Sequence, residues 1–156
     1  MKDSISNKEK NIHEELERYR SLYLCSSDAI MILEPPDWKF TSCNPATLKM
    51  FGVKSEKEFI MLGPSDVSPK TQQDGSLSAD KAQEMIKKAL KDGSNFFQWT
   101  HKKYKGEDFL ATVLLTKILI GKNIIISSIV RDISKQKKAE EASAEHTQEL
   151  EKLNKM

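Results

Sequence analysis

The sequence predicts an α+β fold, an antiparallel sheet with helices gathered on one face and at both ends of the chain. Three observations predict it. From Asn95 to His101 the side chains alternate with period two, and Phe109 to Val130 is an apolar run rich in β-branched side chains, broken by a glycine-containing turn. The helix-favouring segments fall between the second and third strands rather than between every pair. The remaining neighbouring strands are joined by tight turns, which antiparallel pairs allow and parallel pairs do not.

The chain has 156 residues, enough for one domain with a real core and too short for two comfortable ones. It is 38% hydrophobic and 31% charged with a net charge of +2, so no long-range attraction to nucleic acid or membrane is expected. Two cysteines, Cys25 and Cys43, suit a reduced, cytoplasmic setting better than a disulfide scaffold. The opening MKDSISNKEK lacks the apolar core of a signal peptide. Phe109 to Val130 is long enough to span a bilayer, but Lys117, Lys122 and the Gly121-Lys122-Asn123 turn divide it into two strands.

Residues 8–24 read as a helix with one narrow apolar seam, Ile12, Leu16, Tyr19 and Tyr23. Such a seam suits either packing on its own domain or pairing with a second chain. AIMIL (29–33) and WKFTSC (38–43) are two short strands, separated by the prolines of EPPD. Asn44-Pro45 then marks a helix start, with Asn as N-cap and Pro at the first helical position; that helix stops at Gly52.

Ser55 and Glu58 have the spacing of a capping box before a short helix through Phe59, Ile60 and Met61. Residues 62–76 are loop. Ser78 is expected to cap a longer helix that ends at Gly93 and buries Ala82, Met85, Ile86, Ala89 and Leu90. In the strand that follows, Phe97, Trp99 and His101 share one face, and Phe96, Gln98 and Thr100 the other. The helices can cover only one face of the sheet, and the N-terminal helix is the available cover for the second.

These residues resemble a PAS domain, the sensory module of histidine kinases, cyclases and chemoreceptors. CNPATLKMFG resembles the family's Asn-x-x-x-x-x-x-x-Gly element. Ser94 to Gly106, with Trp99, resembles its strand and turn after the long helix. RDIS (131–134) is similar to its Asp-Ile-Thr signature, with Ser134 in place of Thr. The resemblance covers about residues 20–140. It implies a five-stranded antiparallel sheet in the order 2-1-5-4-3, with helices on one face enclosing a small pocket. Residues 1–24 would then be a flanking helix, 25–133 the sensor domain and 134–156 a C-terminal signalling helix.

No catalytic or metal constellation is legible. His13 and His146 lie in polar flanking helices, and His101 alternates with lysines near a turn, where exposure or half-burial is expected. Neither cysteine has a partner at metal-ligand spacing. Haem-binding members of the family often use a His on the long helix, and residues 79–92 contain none. Flavin-binding members carry a Cys after the second short helix, and MLGPSDVSPK lacks one. Neither haem nor flavin is supported, and a small organic ligand stays open. The pocket candidates are Met31, Met61, Phe97, Trp99 and Ser128, residue types that equally fill an ordinary core. Asn44 is read first as a cap, though its side chain could also meet a ligand.

Lys135, Lys137 and Lys138 are followed at once by acidic residues, which fits a solvated helix start and no nucleic-acid partner. Beyond Ser134, Gln136, Ala139, Ser143, His146, Leu150 and Leu153 repeat at alternating spacings of three and four. A lone helix of this composition is marginal in water, so pairing with a second copy is expected, through Ile12, Leu16, Tyr19, Tyr23, Leu150 and Leu153. Asp132, Ile133 and Ser134 join the last strand to this helix without a loop. Ser134 is a candidate cap, and Asp132 a candidate partner for a nearby Lys or Arg. The function expected is a non-catalytic sensor that dimerises and relays a signal to an output domain of the same parent chain, such as a histidine kinase. The parent could be membrane-associated. The alternatives are a dimerisation scaffold without a ligand and, more remotely, a small ligand-modifying enzyme.

Overall fold

The computed structural model describes residues 1–156. Helix α1 (Lys2–Leu24) leads into strands β1 (Ala29–Glu34) and β2 (Lys39–Cys43). Helices α2 (Pro45–Phe51), α3 (Glu56–Phe59) and α4 (Ser78–Asp92) follow. The chain closes with β3 (Ser94–Lys102), β4 (Asp108–Ile120), β5 (Asn123–Asp132) and α5 (Ser134–Asn154). The five strands form one antiparallel sheet in the order β2-β1-β5-β4-β3. No helix is long and apolar enough to cross a membrane.

Local sequence explains most of the boundaries. The Asn44 side chain accepts from the Thr47 N–H to open α2, and Gly52 closes it with φ +71°, where a side chain would be strained. The β4–β5 turn has only Gly121 and Lys122 between paired Ile120 and Asn123, and Gly121 takes φ +60°. On β2, the register slips by one residue at Thr41, so Phe40 and Cys43 both reach the buried face despite their odd spacing.

The start of α4 departs from expectation. Leu77 occupies the N-cap position and no side chain caps the helix. The Ser78 hydroxyl is instead taken by a 2.9 Å hydrogen bond from Gln72 Nε2, deep under the loop.

Alternation along the strands sorts the two faces of the sheet. Ala29, Met31 and Leu33 of β1, Val113 and Leu115 of β4, and Ile126 and Val130 of β5 point into the core under α2, α3 and α4. Ile30, Ile32, Leu114 and Ile129 lie on the other face and are half-buried, and Phe96 beside them is 67% exposed. Helix α1 does not cover that face: none of its residues is buried, and Ile12, Leu16 and Tyr19 are exposed. The reason is local. The last turn of α1 is held at the Tyr23 carbonyl by Asn44 Nδ2, at 3.0 Å, and the helix stands clear of the sheet from there. Helix α5 likewise buries nothing within the chain.

Candidate functional site

A cavity of about 50 Å³ lies between the sheet and α4. Four of the five pocket candidates border it: Met31 from β1, Phe97 and Trp99 from β3, and Ser128 from β5. Ala82 and Ile86 of α4 close it from above, and Pro64 and Ser68 from the loop that precedes α4. The lining is almost wholly apolar. Met61 is not part of it, being 80% exposed. Helix α3 has only four residues and spends its buried position on Phe59, so Met61, two residues on, turns outward.

His101 is the lining residue that sequence reasoning placed wrongly. It is buried, edge-on to Phe51 at 5.1 Å and stacked on Phe109 at 5.7 Å. Its Nδ1–H donates to the Val67 carbonyl at 3.2 Å, which sets the tautomer, and Nε2 has no partner. Burial pushes its pKa down to about 4. The available signal was its shared face with Phe97 and Trp99; the adjoining lysines argued against it, and Lys102 points the other way on the strand.

The loop at 62–77 is fastened to the free edge of β3. Trp99 Nε1–H donates to Ser68 Oγ at 2.9 Å, and Ser68 donates onward to the Pro64 carbonyl at 2.7 Å. The Gln72 side chain stands in for a neighbouring strand: its Oε1 accepts from the Thr100 N–H at 2.9 Å and its Nε2 donates to the Thr100 carbonyl at 3.0 Å. The Lys102 N–H donates to the Val67 carbonyl at 2.8 Å. Cavity wall and loop are therefore one hydrogen-bonded unit.

Strand β5 runs from the cavity wall to the start of α5. Ser128 and Val130 border the cavity, and α5 begins four residues later with only Ile133 between the elements. Asp132 makes no ion pair; its carboxylate accepts from the Ser134 N–H at 2.8 Å and so serves the helix start. Ser134 does not cap the helix. Its hydroxyl exchanges hydrogen bonds with the Leu110 N–H and carbonyl on β4, at 3.3 and 3.4 Å, hooking the first residue of α5 to the sheet.

The ion pair expected of Asp132 is made next door. Arg131 donates from Nε and Nη2 to the two carboxylate oxygens of Asp28, at 3.1 and 2.9 Å. That bond holds the Asp28 carboxyl below the usual range for aspartate.

Asn44 ties the N-terminal side together. It is fully buried, donates to the carbonyls of Tyr23 and Asp28, and accepts from the Ile30 N–H and from Thr47. With its amide so occupied and its position off the cavity, it is a structural cap and joint rather than a ligand contact. Of the dimerisation candidates, Ile12, Leu16, Tyr19, Leu150 and Leu153 are exposed, whereas Tyr23 is half-buried at the root of α1. No three His, Cys, Asp or Glu side chains come together as a metal site.

A family model described as PAS domain matches residues 17–84. Among solved structures, the PAS domain of an HTR-like protein from Haloarcula marismortui is 20% identical with a TM-score of 0.67, covering 82% of this chain and 99% of that one. A PAS domain from a two-component sensor histidine kinase is 21% identical with a TM-score of 0.59, covering 76% and 98%. The PAS domain of a LuxR-family transcriptional regulator from Burkholderia thailandensis, in complex with ethanol, is 15% identical with a TM-score of 0.57, covering 74% and 97%. No curated protein matches the chain.

Proposed function

We propose that the chain carries a PAS domain, as the family-model match to residues 17–84 and the shared fold support, and that it is a non-catalytic sensor whose cavity takes a very small apolar molecule and whose α5 passes the result to an output domain, such as a histidine kinase. The observation that carries this reading is that one strand serves both ends. Ser128 and Val130 wall the cavity, and the same strand becomes α5 without a flexible link. A shift at the wall therefore reaches the helix instead of being absorbed by a loop.

The size of the cavity sets the ligand class. At about 50 Å³ it is about a third of an apolar cavity that accepts benzene, and far below the several hundred Å³ of drug-sized sites. It suits a molecule of two to four heavy atoms and not a haem or flavin ring. The relative crystallised with ethanol supports that class.

The dimer belongs to the same proposal. The exposed seams of α1 and α5 and the half-buried apolar face of the sheet are three unpartnered surfaces on one chain, and a second copy would cover them. A second reading, a dimerisation scaffold with no small ligand, is favoured by how little room the cavity offers.

Xenon, an inert probe of dry apolar cavities, distinguishes the two. Titrated into the ¹⁵N-labelled chain, it should move the amide signals of Ser128 and Val130 and, on the same binding curve, those of Ser134 and Lys137. No shift at Ser128 under xenon pressure would favour the scaffold.

A further inference from the structure

The cavity is not the only route to α5. We infer that the domain has a second input, in which movement of α1 is transmitted to α5 through Asn44, Asp28 and Arg131 without passing through the cavity. None of these three residues borders the cavity.

The connection can be followed bond by bond. Asn44 Nδ2 donates to the Tyr23 carbonyl in the last turn of α1 at 3.0 Å and to the Asp28 carbonyl at 2.9 Å. One buried amide thus fixes the end of α1 to the residue just before β1. The carboxylate of that same Asp28 holds Arg131 by two parallel bonds, which constrains direction as well as distance. Arg131 is followed by Asp132, whose carboxylate holds the Ser134 N–H at the start of α5. Every step from Tyr23 to Ser134 is a covalent link or a direct hydrogen bond. It also spans 103 residues of sequence at the Asp28–Arg131 step, so it exists only in the folded domain.

As a source of stability the Asp28–Arg131 pair is minor, because Arg131 is largely exposed and such pairs are screened. Two bonds in fixed geometry, joining a residue just after α1 to one just before α5, suit a part that transmits orientation. The signal class it fits is mechanical: a rotation, tilt or fraying of α1, whether imposed by a second copy pairing along Ile12, Leu16 and Tyr19 or by whatever acts on the helix.

Hydrogen exchange on the full chain tests this. Ser21→Pro breaks the last turn of α1. It should speed exchange of the Lys137 and Lys138 amides in α5 by about fivefold or more, while Val113 and Leu115 in the sheet keep their protection and report that the domain is folded. In an Asp28→Asn or Arg131→Gln background, Ser21→Pro should add nothing at α5, and the charge-exchanged pair Asp28→Arg with Arg131→Asp should restore the response. An unchanged α5 in Ser21→Pro, or an undiminished response in Arg131→Gln, would overturn the inference. Since the readout needs no ligand, its failure is distinct from failure of the cavity reading.

Discussion

The indole N–H of Trp99 donates a 2.9 Å hydrogen bond to Ser68 Oγ across 31 residues of sequence. Through that bond the wall of the cavity and the loop that closes it move as one. Ser68→Ala leaves a buried indole N–H without an acceptor, at a cost of about 1–3 kcal/mol. Denaturant unfolding should give that loss, together with a shift in Trp fluorescence. Unchanged stability would mean that the bond is dispensable.

The same loop depends on Gln72, whose amide pairs with both backbone groups of Thr100. Gln72→Ala should cost about 1–3 kcal/mol, since the part-buried backbone groups of Thr100 lose their partner. The Thr100 amide, measured by hydrogen exchange, should lose protection while that of Val113 keeps it.

His101 makes stability depend on pH in a definite direction. Its folded pKa of about 4 lies below the unfolded value of 6.5, so between those values the unfolded chain binds more protons. The stabilisation is complete above 6.5 and is lost as the pH falls toward 4. At pH 5 the loss amounts to about 2 kcal/mol. His101→Phe, which keeps an aromatic ring between Phe51 and Phe109, should remove most of the slope between pH 7 and 5. An equal slope in wild type and variant would contradict the assignment.

Ala82 offers a way to fill the cavity without disturbing the junction. It sits on the α4 side of the cavity, and Val there adds two methyl groups where about 50 Å³ is open. Ala82→Val should change stability by less than about 3 kcal/mol and abolish the effect of xenon on the Ser128 amide. Retained xenon binding would place the site elsewhere.

Much of this fold is legible in the sequence because it rests on local rules. Asn44-Pro45 starts a helix wherever it stands, and Gly121 with Lys122 closes a two-residue hairpin turn, so the strands and most helix ends follow from neighbours along the chain. The features that misled reading were tertiary. His101 lies among lysines in sequence but among Phe51, Phe109 and Trp99 in space. Ser78 looks like a cap until Gln72 claims its hydroxyl. The cavity wall was largely legible from the parity of Phe97 and Trp99. By contrast, Met61 was lost to the shortness of α3, and the pairing of Asp28 with Arg131 has no local signature at all.

If an occupant of the cavity repositions α5 through β5, one distance reports it. In a Cys25→Ser background, spin labels at Lys102→Cys on β3 and Gln148→Cys on α5 report the angle of the helix to the sheet. Under xenon sufficient to saturate the Ser128 amide shift, the distance distribution should move in the otherwise native chain and stay fixed with Ala82→Val. Saturation of the cavity with no change in that distance would exclude β5 as the route to α5.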